Sequence, residues 1–350
     1  MWYAGGMKTS KSPLRVAYVA LDLAKRCYAP YSCAKSPRKF TQPQLVACLV
    51  LKEFLRQDYR GMHRLLTECS DFRAVLGLTD APHFTTLCAA HRRLLSKPQT
   101  SRFFDQLIVL CRRRGLLGRK SRLAAMDSTG LESRHVSHYF TRRCGRHGAH
   151  YKARYPKLSA VCDVASHLVL AVTVDRGPLP DHAEFEATLR DALARQRIAT
   201  LVADAGYDSE KAHRLCRERL GIRSIMPPRI TGRPRYDGAP PRMRGVYRPR
   251  LRRRFPRKTY GQRWQIETVF SMIKRRLGAA LRARSYHAQC REVVLKVLTF
   301  NLMILLCLVK MFYTEQDAVH LCRRARQGER PCARAGADDR SRRRHPREGH

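Results

Sequence analysis

Apolar positions recur at helical spacing from about Phe40: Leu45, Cys48, Leu49, Lys52 and Leu55 mark one stripe, and Thr41 stands where an N-cap belongs. A second helical stretch covers Tyr59 to Gly77. The segment Gly77-Leu78-Thr79-Asp80-Ala81-Pro82 breaks the period, and Thr85 to Leu95 restarts it. Helix, turn, helix over about 59–95 fits this pattern, with Arg92 and Arg93 free to face a phosphate backbone. A small helical bundle whose arginines are only solvated has the same period, because spacing does not say whether a helix enters a groove. Residues 1–120 are therefore expected to form an all-α N-terminal domain.

Past Gly118-Arg119-Lys120 the rhythm changes. Leu123 to Asp127, Lys157 to Asp163 and His167 to Val174 read as strands, the last two joined through Ala165-Ser166 by a connection short enough for a hairpin. Asp181 to Gln196 is an amphipathic helix with Phe185, Leu189 and Leu193 on one face. A fourth strand at Thr200–Ala203, a helix at Ser209–Leu220 and a fifth strand at Ile222–Met226 complete the series. Three successive strands followed by alternating helix and strand describe an α/β fold, a mixed five-stranded sheet with flanking helices. That order matches the ribonuclease H-like fold and is assigned to residues 121–312.

Within that region, 228–258 crowds Pro, Gly and Arg together without any period and reads as a basic loop that takes its order from DNA. The most apolar run, Val297 to Val309, is interrupted by Asn301 and closed by Lys296 and Lys310. It leaves about 13 residues where a membrane span needs about 20, so a buried core helix is expected and no membrane. Residues 313–350 are Arg-rich and poor in apolar side chains, the composition of a disordered tail.

Charge narrows the functional classes. Seventy Lys and Arg side chains against 28 Asp and Glu give a net +42, a field that repels itself in a compact chain unless polyanions neutralise it. Nucleic acid is the natural counter-charge. Thirteen cysteines without a CxxC pair read as reduced thiols, and Met1 to Gly6 lacks the charged start and apolar stretch of a signal peptide. Both point to the cytoplasm.

The chemistry concentrates late in the chain. Tyr260 to Gly278 reads as one helix on which Tyr260, Arg263, Glu267 and Lys274 fall within roughly 60° of one another. Ile266, Val269, Phe270, Ile273 and Leu277 occupy the adjoining arc, so one face packs and its edge presents a carboxylate among cations. A solvated charged edge would look similar in so basic a chain. The full pattern, Tyr-x2-Arg-x3-Glu-x6-Lys, resembles the signature of the insertion-sequence DDE transposases of the groups called insertion sequence four and five.

That resemblance implies two aspartates on the sheet upstream. Asp127 lies in Ala124-Ala125-Met126-Asp127-Ser128-Thr129-Gly130, and Asp204 lies 77 residues later in Leu201-Val202-Ala203-Asp204-Ala205-Gly206-Tyr207-Asp208. Glu267 follows after a further 63 residues, which leaves little room for the β-strand insertion that some family members carry. Asp127, Asp204 and Glu267 would then be the catalytic residues and metal ligands, and Tyr260, Arg263 and Lys274 DNA or carboxylate partners. For any one aspartate at a strand end, a turn or cap role is the ordinary reading. Asp208 is expected to cap the helix beginning at Ser209, and Asp163 and Asp181 to be structural or to support the catalytic carboxylates from behind.

Three carboxylates without a histidine suit Mg²⁺, a hard cation that keeps several waters, and two ions are expected, with Mn²⁺ able to substitute. By the same resemblance, one site would hydrolyse a phosphodiester at each transposon end and direct the freed 3′-hydroxyl onto target DNA. Double-stranded DNA, as terminal inverted repeats and target, and a second copy of the chain in a homodimer would be the partners. Tyr260 as a nucleophile is disfavoured, because its neighbours are the glutamate signature and not an arginine-histidine-arginine set. His135, His138, Cys144, His147 and His150 have spacings that could suit zinc, but they lie among Arg134, Arg142, Arg143 and Arg146, and a basic DNA-facing loop is the favoured reading. The rivals are an inactive or domesticated DNA-binding derivative and a ribonuclease H-like nuclease without strand transfer.

Overall fold

A computed structural model describes residues 9–133, 155–177, 181–229, 243 and 245–308. Six helices come first: α1 (Pro13–Cys27), α2 (Gln42–Phe54), α3 (Tyr59–Glu68), α4 (Ser70–Leu76), α5 (Phe84–Leu94) and α6 (Lys97–Arg113). The reading from Phe40 onward omits α1 and leaves α6 unassigned. In α6 the apolar residues come in blocks, Phe103-Phe104 and Leu107 to Cys111, where period alone does not separate helix from strand. The stretch Tyr59–Gly77 divides at Cys69 into α3 and α4.

Local chemistry accounts for the boundaries. The Thr41 hydroxyl accepts from the Gln44 N–H, the Gln44 side chain accepts from the Thr41 N–H, and Pro43 sits in the first turn of α2. Asp58 caps α3. Gly77 closes α4 in the left-handed region at φ 62°, which a residue with a Cβ adopts only under strain.

The sheet contains β1 (Lys120–Gly130), β3 (Tyr155–Asp163), β4 (Val169–Gly177), β5 (Arg197–Ala203) and β6 (Arg223–Ile225) in the order β4-β3-β1-β5-β6. The first three strands pair antiparallel, and β5 and β6 join parallel to β1. This is the ribonuclease H-like arrangement expected from the strand order. A separate two-stranded pair joins β2 (Glu132–Ser133) to β7 (Ala280–Leu281). Nearly all of β3 is buried, so both faces of the sheet are covered. The helix α7 (Phe185–Arg195) lies against β3, β4 and β5.

The later helices are α8 (Glu210–Arg214), α9 (Tyr247–Arg253), α10 (Arg257–Tyr260), α11 (Trp264–Leu277) and α12 (Tyr286–Leu308). α8 runs on into a π turn at Leu215–Arg219. Two expectations are corrected here. The basic segment 228–258 is not simply a loop, since its described end forms α9 and the start of α10. Nor is Tyr260–Gly278 one helix: Tyr260 ends α10, a 3-10 turn spans Gly261–Arg263, and the regular helix starts at Trp264.

α12 explains how the molecule holds together. It packs against β3 and β4 on one side and against α1, α2, α5 and α6 on the other, and the buried apolar cluster runs unbroken from Val16 to Leu306. Its interrupting Asn301 is fully buried, and its amide pairs both backbone groups of Val169, accepting the N–H at 2.9 Å and donating to the carbonyl at 2.8 Å. A polar residue in an apolar helix thus satisfies two strand groups that burial would otherwise leave without partners. Among the described residues no helix is long and apolar enough to cross a membrane.

Candidate active site

Parallel register places the two aspartates. The pairing of β1 with β5 runs to Met126 opposite Ala203, so Asp127 and Asp204 are the next residue on each of two adjacent strands. β1 does not end at Asp127. It continues to Gly130 along β3, with Asp127 opposite Ala160. Asp204 begins a 3-10 turn (Ala205–Tyr207), its carbonyl accepting from the Tyr207 N–H at 3.0 Å. The Tyr207 ring is buried, 5.7 Å from that of Phe185, which anchors the turn to α7.

The third carboxylate comes from the other side. Glu267 lies in the first turn of α11, and Arg263 in the preceding 3-10 turn reaches both walls of the site. One arm of its guanidinium donates to Asp127 Oδ2 at 2.9 Å and the other to Glu267 Oε1 at 2.6 Å. These are charge-assisted bonds of ordinary length. The Asp127 side chain is 18% exposed and that of Glu267 53%, so the site has a protected floor and an open lip.

Electrostatics records the crowding. Burial pushes the Asp127 carboxyl above its ordinary value; the Ser128 N–H, donating at 2.8 Å, and Arg263 work against this, while the charges of Asp204 and Glu267 add to the rise. Tyr260 is pushed up by burial and by both aspartates, with Arg263 opposing, and its ring packs 5.1 Å from Phe255. Burial works to lower the Arg263 pKa, but Asp127, Tyr260 and Glu267 outweigh it and raise it.

Lys274, expected as a DNA or carboxylate partner, donates to Thr129 Oγ1 at 2.7 Å and so pins the last turn of α11 to the end of β1. Arg92 and Arg93 are exposed in the last turn of α5, a helix packed on α2, α3 and α12. Asp208 is not a helix cap. Ser209 caps α8, with its hydroxyl accepting from the Ala212 N–H at 3.1 Å. Asp163 is structural as expected, accepting from both the N–H and the hydroxyl of Ser166. His135, His138, Cys144, His147 and His150 lie outside the described residues.

The donors suit a hard divalent cation: Asp127, Asp204 and Glu267 offer only carboxylate oxygens. Among the described residues no three His, Cys, Asp or Glu side chains stand close enough together to hold an ion as they are. The Arg263 guanidinium lies between Asp127 and Glu267, bonds both and supplies a counter-charge to them.

Residues 118–302, just over half the chain, match the family model described as transposase DDE domain. The chain belongs to that family. The matched segment opens just before β1 and closes within α12, so it contains the whole sheet, the three carboxylates and Arg263. No curated protein matches this transposase. Among solved structures, a chain of the crystal structure of the Mos1 strand transfer complex is similar at 12% identity, covering 86% of this chain and 79% of that one with a TM-score of 0.26. Enzymes of the DDE family use divalent metal ions, in keeping with an all-oxygen donor set. Sequence reasoning missed Thr129 as the partner of Lys274 and the anchoring role of Asp208; neither has a signal in spacing, since both depend on which strand or helix folds back.

Proposed function

We propose that this transposase cuts double-stranded DNA at transposon ends and joins the freed 3′-hydroxyl to target DNA, with Asp127, Asp204 and Glu267 holding two Mg²⁺ ions for which Mn²⁺ can substitute. The observation that carries the reading is the single guanidinium bonded to both Asp127 and Glu267, beside a strand that brings Asp204 level with Asp127. A cation already joins the carboxylates of two distant segments.

The residues divide the work. Asp127 and Asp204 come from adjoining strands of a rigid sheet, which fixes their spacing before DNA arrives. Glu267 is half exposed on a helix end and closes on them. Arg263 neutralises Asp127 and Glu267, and its planar fork would be free for a DNA phosphate where ions held by those carboxylates took over that charge. Divalent ions bound there supply the positive charge that favours formation of the attacking oxygen and departure of the leaving one. Tyr260 lines the lip next to Arg263 and orients the strand, and no covalent tyrosine link is formed. Lys274 holds α11 in place through Thr129.

In this reading α5 reads or grips the element's terminal inverted repeats through Arg92 and Arg93, and two copies of the chain hold the two ends together in the cytoplasm. Incubating the full chain with DNA carrying its own element's ends in Mg²⁺, and mapping cut and joined ends, tests it. Cleavage at the ends with joined products is expected. Binding without cleavage identifies an inactive derivative, and cleavage without joining a nuclease.

A further inference from the structure

Asp208 follows Asp204 by four residues, and its carboxylate is fully buried without belonging to the three-carboxylate set. Oδ2 accepts from the Arg229 N–H at 2.8 Å and from Arg248 Nε at 2.9 Å, and Oδ1 faces His213 Nε2 at 3.3 Å. His213 is buried too, with its other ring nitrogen 2.7 Å from the Ser224 hydroxyl. Arg248 also donates to the Arg229 carbonyl at 2.6 Å. The acid, two arginines and a histidine thus tie the start of α9 to the loop that carries Asp204.

Glu210 completes the attachment. Its Oε1 accepts from the N–H groups of Val246 and Tyr247 at 2.6 and 3.1 Å, and Oε2 from that of Arg248 at 3.3 Å, so one carboxylate satisfies the free donors that open α9. Gly245, at φ 107°, lets the chain pass over Glu210 where any Cβ would collide with that carboxylate. Burial of Leu251 and the Arg217 guanidinium 5.1 Å over the Tyr247 ring fix the inner face.

The outer face is different. Arg250, Arg252, Arg253, Arg254, Arg257 and Lys258 are all exposed, and among the described residues none bonds an acidic side chain. Asp208 and Glu210 are spent on the inner face, on backbone N–H groups and on Arg248. Six like charges within nine residues repel one another, and a rigid mount that holds them together makes sense only against a polyanion. The strip also leads directly through α10 to Tyr260 and Arg263.

Resting on the DNA-cleaving reading, we propose that α9 and α10 form a preorganised rail for the phosphate backbone of duplex DNA, mounted on the Asp204 loop by Asp208 and Glu210, which guides the strand to the carboxylates. The test is duplex binding by the full chain in EDTA, where no cutting intervenes, as a function of salt. Replacing Arg250, Arg253 and Arg254 together by Gln should lower the slope of log K against log salt by about 2–3, at about 0.9 for each phosphate that the chain no longer neutralises. A control removing three exposed arginines elsewhere, Arg26, Arg190 and Arg197, should leave the slope within about 0.5 of the parent. Asp208→Asn keeps every rail cation but loosens the mount, so amide exchange across 247–253 should quicken and binding weaken about tenfold. Arg248→Gln, which leaves the 204–208 loop unaltered in sequence, should do the same if Asp208→Asn does not fold. An unchanged slope in the rail variant, an equal loss in the control, or faster exchange without weaker binding overturns the proposal. Rail variants that keep the slope in a protein that still cuts refute the rail alone, and a rail-dependent slope in a protein that never cuts refutes the catalytic reading alone.

Discussion

Arg263 holds the balance of charge at the site. Three carboxylates converging on one end of a sheet repel one another, and a guanidinium bonded to Asp127 and Glu267 offsets part of that cost. Asp127 still carries a net penalty, since burial and its acidic neighbours raise its pKa. A carboxyl raised in the folded state binds its proton more tightly there than in the unfolded chain, so its contribution to stability falls as pH rises through the raised value. Asp127→Asn should therefore raise Tm at pH 7 in EDTA by on the order of 2 °C, with the gain fading below about pH 4, as read by thermal melts across pH. Arg263→Ala should lower Tm in EDTA and show a larger rise on adding Mg²⁺ than the parent, because the ions then relieve unscreened repulsion. At this scale the sequence was legible where spacing carries the information. Tyr260, Arg263, Glu267 and Lys274 stand in a recognisable pattern, whereas the bond from Lys274 to Thr129 and the burial of Asp208 depend on long-range folding that no local pattern encodes.

The elements show why the Glu267 helix is rigid at its far end. The final carbonyls of α11 are all taken: the Gly278 N–H bonds Lys274, Arg56 donates to Arg275 and Arg276, and Lys296 Nζ donates to Leu277 at 2.6 Å. Arg56 does this from the left-handed region at φ 54°, and Lys296 is itself bonded to the buried Glu53 of α2 at 2.7 Å. Burial works to raise the Glu53 pKa, but Lys52 and Lys296 outweigh it and hold it below its ordinary value. Lys296→Met should cost about 3–5 kcal/mol in urea unfolding by leaving the buried Glu53 with Lys52 alone, 3.5 Å away, as its partner. Adding Glu53→Leu should recover most of that loss. Arg56→Ala should cost about 1 kcal/mol by the same measurement. Strands and the flanking α7 were legible because alternation and amphipathic spacing are local. The turn between Tyr260 and Trp264 was not, since its residues keep helical spacing while changing hydrogen-bond partners. α9 was hidden by Pro249 and a run of arginines, and it forms because Glu210 and Asp208 hold its first turn.

Over the whole molecule, one long apolar helix decides the architecture. α12 joins the N-terminal helices to the sheet, and its buried Asn301 closes the hydrogen bonding of β4. The sequence marked this helix as core and Asn301 as its interruption, but spacing could not say that two layers meet on it. The net charge of +42 and the basic segment 228–258 were likewise legible as a call for polyanions, while the mounting of that segment's cations on the outer face of α9 and α10 emerged only from the fold. The central claim is that Asp127, Asp204 and Glu267 share divalent ions. It is tested most directly by comparing the parent with Asp204→Asn, following DNA cleavage and the Mg²⁺-induced shift in Tm on the same preparations. The account predicts that Asp204→Asn loses cleavage by more than about a thousandfold and loses the Mg²⁺ shift, while it binds duplex DNA in EDTA as the parent does. Undiminished cleavage, or an intact Mg²⁺ shift in that variant, would contradict it.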